Sequence, residues 1–244
     1  MKVKEYLMAK MRDRTIHMTL MDPAKQDPAR AAEVASIAES VGTDALMVGG
    51  STNVTQDNLD ATVLAIKDCS ELPVIYFPSG AQAISRHADA IYFMSMLNSR
   101  NIRNVIGEQI KGAPIVMRLG IEPISMGYVI VEPGMKVGEV GQADLIPRNR
   151  PDLAVAYGLA AQYLGMSFLY LEAGSGAPEP IPKTMIQEVR KYVSLPLIVG
   201  GGIRTPEDAA MTKSAGANAI VTGTIVENRD FAKALGDVIR AIRS

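Results

Sequence analysis

Eight short apolar runs alternate with helix-length amphipathic stretches along the 244 residues, mostly at intervals of about 20 to 35 residues. That rhythm suits right-handed crossovers between parallel strands, and the length is close to the roughly 250 residues that a closed strand-helix barrel needs. Glycines also cluster directly after the apolar runs, at the strand ends where such barrels bind their ligands. Together these observations predict an α/β fold: a single (β/α)8 TIM-like barrel domain over residues 1–244, with a shortened or missing third helix and an elaborated fifth unit.

The runs that predict strands are residues 16–21, 45–48, 74–77, 90–94, 128–131, 168–171, 197–199 and 219–221. Between them the 3.6-residue periodicity predicts helices over 29–41, 54–69, 102–112, 152–164, 184–193, 206–215 and 231–242. Thr205 before Pro206, with Glu207 and Asp208 in the first turn, is a helix start with its cap in place. Two intervals break the rhythm. After the third run, Pro78-Ser79-Gly80 leaves too few residues for an ordinary helix before the fourth. Between residues 112 and 151, recurrent Gly and Pro predict loops or extra extended structure, the place for a mobile cover.

Composition excludes several classes. There are 25 Lys+Arg against 26 Asp+Glu, and the cations are scattered, so there is no field for nucleic acid. The lone Cys69 excludes an internal disulfide and a multi-cysteine metal site. The polar N-terminal residues do not read as a signal peptide, and no apolar run approaches a membrane span, so a cytoplasmic protein without a transmembrane segment is expected.

Strand seven ends in GGGIRTPED (residues 200–208) and strand eight in TGT (222–224). Loops seven and eight are the usual phosphate cradle of these barrels, because free backbone N–H groups converge there. Gly201, Gly202, Gly223 and Thr224 are assigned to a phosphate; Arg204 is as readily a surface partner of Glu207. On strand one, alternation puts Met18, Leu20 and Asp22 on one face, and Ser51 follows strand two. A carboxylate and a hydroxyl beside a diphosphate suit magnesium, which takes one or two protein oxygens and leaves the rest to phosphate and water. Asp22 also reads as an Asx turn before Pro23. On strand six Tyr170 and Glu172 share a face; burial without a cation would raise the Glu172 carboxyl and make it a general base. Its bland reading is a salt bridge, and that of Tyr170 a core aromatic.

HMTLMDPAK (17–25), DALMVGGS (44–51), YFPSG (76–80), YLEAGSGAPEPIP (170–182), VGGGIRTPEDA (199–209) and VTGTIVE (221–227) follow one another in order over nearly the whole chain. On these blocks the sequence resembles the geranylgeranylglyceryl phosphate synthase family. The resemblance implies a magnesium-dependent prenyltransferase of lipid biosynthesis. Such an enzyme joins geranylgeranyl diphosphate to the C3 hydroxyl of sn-glycerol 1-phosphate and releases diphosphate, forming the first ether bond of archaeal-type membrane lipids. Carried over by position, Asp22 and Ser51 match the magnesium residues. Tyr170, Leu171, Glu172, Ala173, Gly174, Ser175 and Gly176, with Gly201, Gly202, Gly223 and Thr224, match the glycerol phosphate site, where Glu172 and Tyr170 are the catalytic candidates. Leu20 stands where some bacterial relatives carry a Lys. The family also implies a homo-oligomer, with transient membrane contact at product release.

The competing reading is a sugar-phosphate isomerase or lyase on the same barrel. Against helical prenyl synthases stands the absence of any Asp-Asp pair. A 20-carbon tail needs an apolar groove, worth more than about 10 kcal/mol gross at ~0.8 kcal/mol per CH₂; the abbreviated third unit offers the gap. With 14 Met, 4 Phe and no Trp, most Met read as filler of barrel and interhelix space, while Met18, Met94 and Met96 suggest a thioether lining for the groove rather than aromatic walls. His17 reads as packed between barrel and helices, His87 as a loop residue, and Cys69 as a small apolar filler.

Overall fold

The computed structural model describes residues 1–228 and 230–244, and its eight parallel strands close into a barrel in chain order. The strands are β1 (Ile16–Met21), β2 (Ala45–Val48), β3 (Val74–Tyr76), β4 (Ala90–Met96), β5 (Glu122–Ile130), β6 (Phe168–Glu172), β7 (Leu197–Gly200) and β8 (Ala219–Thr222). Around them run α1 (Val3–Asp13), α2 (Pro28–Ser40), α3 (Gln56–Lys67), α4 (Glu108–Leu119), α5 (Met135–Val140), α6 (Pro151–Tyr163), α7 (Lys183–Tyr192), α8 (Pro206–Ser214) and α9 (Phe231–Arg243). Closure is made by β8 against β1, in the register Met18 to Val221.

Period two divides each strand between two cores. Outward side chains such as Val48, Tyr76, Leu169, Val199 and Ile220 pack under the helices, while Met18, Met47, Ile75, Tyr92, Tyr170 and Val221 fill the interior. The base of the interior is sealed by α1, whose Val3, Leu7 and Met11 sit one helical turn apart and join the inner cluster. Its first amides are capped from a distance: the N–H groups of Val3 and Lys4 donate to Glu122, at 2.6 and 3.2 Å. Although Val3, Leu7 and Met11 carry the signal for it, this helix was not among those predicted.

No helix forms between β3 and β4, as the short interval predicts. The connecting backbone is satisfied by side chains instead. Ala81 N–H donates to Glu108 at 2.7 Å, Ile84 N–H to Gln56 Oε1 at 3.1 Å, and the Gln56 amide to the Ile84 carbonyl at 3.2 Å. The fifth unit is elaborated, by α5 and a loop before α6. Two boundaries move. β5 begins at Glu122 rather than near Tyr128, because Pro123 and Gly127, which read as breakers, lie within a ladder held by β4. α4 runs through Pro114 to Leu119 and ends on Gly120 in the left-handed region at φ 71°. Thr205 caps α8 as predicted, in a reciprocal capping box with Asp208.

Under the barrel, Asp44 is a buried charge with its partners assembled around it. Lys10, Arg14 and Arg243 approach its carboxylate at 3.0, 2.7 and 2.6 Å, and the His17 N–H donates to it at 3.0 Å. Burial alone would push the carboxyl up; the His17 amide and the three cations outweigh it and hold it below the ordinary range. His17 lies between barrel and helices as predicted, its ring nitrogens on Thr43 at 2.6 Å and Thr222 at 3.0 Å. Burial lowers it to about 3, with Asp44 opposing and Arg243 adding. Cys69 departs from expectation: it is exposed at the end of α3, not an apolar filler. His87 lies in the β3–β4 connection.

Asp44→Asn should cost about 2–3 kcal/mol, read as a lowered denaturation midpoint, because charged hydrogen bonds to a buried group are lost. His17 resists protonation until about pH 3 when folded but takes a proton near 6.5 when unfolded. Stability should therefore fall as pH drops through that window, with Asp44 adding the same sign below 3.8. A His17→Gln variant should flatten the loss between pH 6.5 and 4 in a series of thermal melts.

Candidate active site

The C-terminal strand ends converge on a cavity of about 630 Å³, adjoined by a smaller one of about 40 Å³. The large cavity runs from Asp22 and Ser51, over Phe77, and out through the wall where the third helix is missing, between the 78–84 segment, Ile91 and the Gly112 and Val116 face of α4. The small one is formed by Gly201, Gly202, Ile203, Arg204, Gly223 and Thr224. Glu172, Ser175, Leu20 and Gly223 line both. A polar cradle and an apolar slot thus meet at one carboxylate.

The cradle is built by chain geometry. Gly201 sits at φ 81°, and a Cβ there would lie 2.4 Å from Glu172 Oε1 and 2.6 Å from the Gly174 nitrogen, so only glycine lets loops six and seven close on each other. Among the described residues, no protein acceptor takes the N–H groups of Gly201, Gly202, Gly223 or Thr224. Arg204 neither pairs with Glu207 nor points freely into the cradle; its guanidinium donates to the Gly176 carbonyl at 2.7 Å and ties loop six to loop seven. Of the strand-six segment, Leu171 and Ala173 turn their side chains into the outer core, so only their backbone is available to a ligand. Ser175 faces the junction.

Glu172 is 6% exposed and stands at the register of Ile130 and Gly200 on the flanking strands. No cation pairs with it among the described residues, which removes the salt-bridge reading. Burial raises its carboxyl, against the Gly174 N–H, donating at 2.6 Å, and the facing hydroxyls of Tyr170 and Tyr128. The Tyr170 hydroxyl is buried over Gly200 and closes no well-directed hydrogen bond to any described group. It is more than a core aromatic: its ring belongs to a floor in which Phe77 stacks on Tyr170 at 5.7 Å, and Tyr128 meets both edge-on at 5.4 and 5.2 Å. This corrects the suggested thioether lining in part. Met94 and Met96 do line the slot, but Met18 is sealed in the barrel interior, accepting from the Tyr92 hydroxyl at 3.3 Å, and the floor is aromatic. Tyr128 was missed, although its register with Tyr170 places the two together.

Asp22 follows β1 at the rim. It makes the Asx turn anticipated for it, Oδ1 accepting from Ala24 N–H at 2.9 Å, and still faces the cavity. A Cβ on Gly50 would fall 2.2 and 2.6 Å from its two oxygens, so the glycine of loop two makes the space in which the carboxylate lies. Its carboxyl is raised by burial, opposed by the Ala24 amide and Lys25, and raised further by Glu227. Ser51 lines the same end of the cavity. Among the described residues no three His, Cys, Asp or Glu side chains gather as a metal site. At this end of the cavity Asp22 and Ser51 offer a cation a carboxylate and a hydroxyl, a donor set that suits magnesium completed by phosphate and water.

Comparison with known proteins agrees with this geometry. The model of the PcrB family matches residues 8–243. Geranylgeranylglyceryl phosphate synthase of Thermococcus gammatolerans is 54% identical over 93% of this chain and 90% of its own length, and that of Methanococcoides burtonii is 51% identical with both chains covered fully. The crystal structure of (S)-3-O-geranylgeranylglyceryl phosphate synthase from Thermoplasma acidophilum in complex with substrate sn-glycerol-1-phosphate is 45% identical, superposes with a TM-score of 0.97, and covers 99% of this chain and 98% of that one. The tryptophan synthase alpha chain of Legionella pneumophila, 14% identical with a TM-score of 0.66, shares the barrel alone. Matched over nearly its full length, the chain belongs to the PcrB family, among the geranylgeranylglyceryl phosphate synthases.

Proposed function

We propose that this protein transfers the geranylgeranyl group of geranylgeranyl diphosphate to the C3 hydroxyl of sn-glycerol 1-phosphate. The observation that carries the reading is the meeting of a phosphate-sized cradle and a long apolar slot at Glu172. A sugar-phosphate isomerase has no use for the slot, whereas a prenyl donor and a phosphorylated acceptor need both. Relatives named for this activity match across the chain.

In the reaction the bond between the prenyl C1 and the diphosphate oxygen breaks and a C1–O bond to the acceptor forms. The N–H groups of Gly201, Gly202, Gly223 and Thr224 hold the acceptor phosphate, directing the hydroxyl toward Glu172. The Glu172 carboxylate takes the hydroxyl proton, and its raised pKa makes it a stronger base than a free glutamate. The aromatic floor of Phe77, Tyr128 and Tyr170 lies beneath the junction, where its ring faces favour positive charge developing at the allylic carbon. Asp22 and Ser51 would hold magnesium, whose charge when bound offsets that of the departing diphosphate. The slot walls exclude water from the allylic centre. This reading places the enzyme in the cytoplasm as a homo-oligomer that meets the membrane transiently; among the described residues no helix is long and apolar enough to cross one.

Labelled geranylgeranyl diphosphate, sn-glycerol 1-phosphate and magnesium should yield the ether; no product would reject the transferase reading, and full activity after chelation would remove only the metal. Glu172→Gln should lower kcat by about a hundredfold or more, with little change in acceptor affinity. In the wild type kcat/KM should fall as pH drops through the Glu172 pKa, above 4.5, since protonation removes the base. Asp22→Asn should weaken magnesium-dependent diphosphate binding, measured by calorimetry, without altering binding of the acceptor.

A further inference from the structure

The site as described leaves a charge imbalance. A prenyl diphosphate brings about three negative charges, magnesium offsets two, and Asp22 adds one of its own. Leu20 supplies nothing. The cationic side chains lining the large cavity are Lys25, Arg30 and Lys136.

Arg30 and Lys136 fail on different grounds, the first by its several partners and the second by its place. Arg30 is fixed by Glu33 at 2.7 Å and the Asn228 carbonyl at 2.9 Å, with its guanidinium 5.1 Å over the Phe231 ring. Lys136 pairs with Glu139 on α5, at the other wall. Lys25 differs. It sits in the turn that Asp22 makes, its N–H donating to the Asp22 carbonyl at 3.0 Å. Its ammonium reaches across the mouth to Glu227, 2.6 Å away, at the end of the Thr224–Glu227 turn that follows the phosphate loop. Both side chains line the cavity and are about half exposed. An exposed pair contributes little to stability, up to about 1 kcal/mol, so it opens readily.

We propose that Lys25 is a ligand of the donor diphosphate, held in reserve by Glu227. The ammonium exchanges the Glu227 carboxylate for a phosphate oxygen when the donor binds, and returns to Glu227 as diphosphate leaves. No covalent bond is involved; one charge-assisted contact replaces another. Glu227 keeps the lysine over the mouth and competes with diphosphate for it, which speeds release of a product that would otherwise be held by cation and metal together. The assignment rests on the prenyl-transfer reading, since it names the diphosphate subsite of that reaction.

Opposite effects of the two partners separate this role from a structural ion pair. With magnesium present, inorganic diphosphate titrated calorimetrically should bind Lys25→Ala about tenfold more weakly than wild type, as expected for loss of one charge-assisted hydrogen bond. It should bind Glu227→Gln about two- to fivefold more tightly, because the competing carboxylate is gone. Binding of sn-glycerol 1-phosphate should be unchanged in both. If the two variants shift diphosphate affinity in the same direction, if neither shifts it, or if acceptor binding falls in parallel, the assignment is wrong. Should the variants diverge as stated while wild type forms no ether, the lysine site stands and the transferase reading falls. Ether formation by wild type, with variants that move together, removes the lysine site and leaves the transferase reading intact.

Discussion

Closure of eight parallel strands is the constraint on which the rest depends. Once β8 pairs with β1, every second side chain is committed to a buried interior, and every strand end to a common rim. The interior is then a packed plug, from the α1 side chains at its base to the Phe77, Tyr128 and Tyr170 rings at its top. Carboxylates stand where this plug ends. Asp22 and Glu172 are inward-parity positions at which the strand has run out of apolar residues, and both carboxyls are raised by burial.

The two acids are nevertheless given different neighbours. Asp22 shares its rim with Lys25 and Glu227 and lies open to the cavity, fit to meet a solvated cation. Glu172 sees only an amide and two phenols. Environment rather than residue type assigns one to charge and the other to a proton. The same contrast appears below the barrel, where Asp44 has three cations and is pushed in the opposite direction.

Much of this was legible in the chain because periodicity and glycine placement are local. The eight strands, the missing third helix, the Thr205 cap and the rim positions of Asp22, Ser51 and Glu172 follow from residues adjacent in sequence. What was not legible depends on partners far apart. Glu122 stabilises the start of α1 across more than a hundred residues, and β5 tolerates Pro123 because β4 supports the ladder. Arg204 finds a loop-six carbonyl instead of its sequence neighbour Glu207. Counting aromatics also misled: three of the twelve, Phe77, Tyr128 and Tyr170, meet in one layer, so the composition hid a floor that the register reveals. Cys69 illustrates the converse error, since a helix terminus says nothing of what covers it.

The unhelical connection between β3 and β4 separates two jobs that a full barrel unit would fuse. A helix would hold that wall through its own backbone ladder, and its diameter would set the gap to its neighbours. Here the wall hangs from Gln56 on one side and Glu108 on the other, two side chains that act as struts. Neither strut belongs to loops six to eight, which build the polar cradle. Within one scaffold, the wall of the apolar slot and the polar cradle are thus held by different groups.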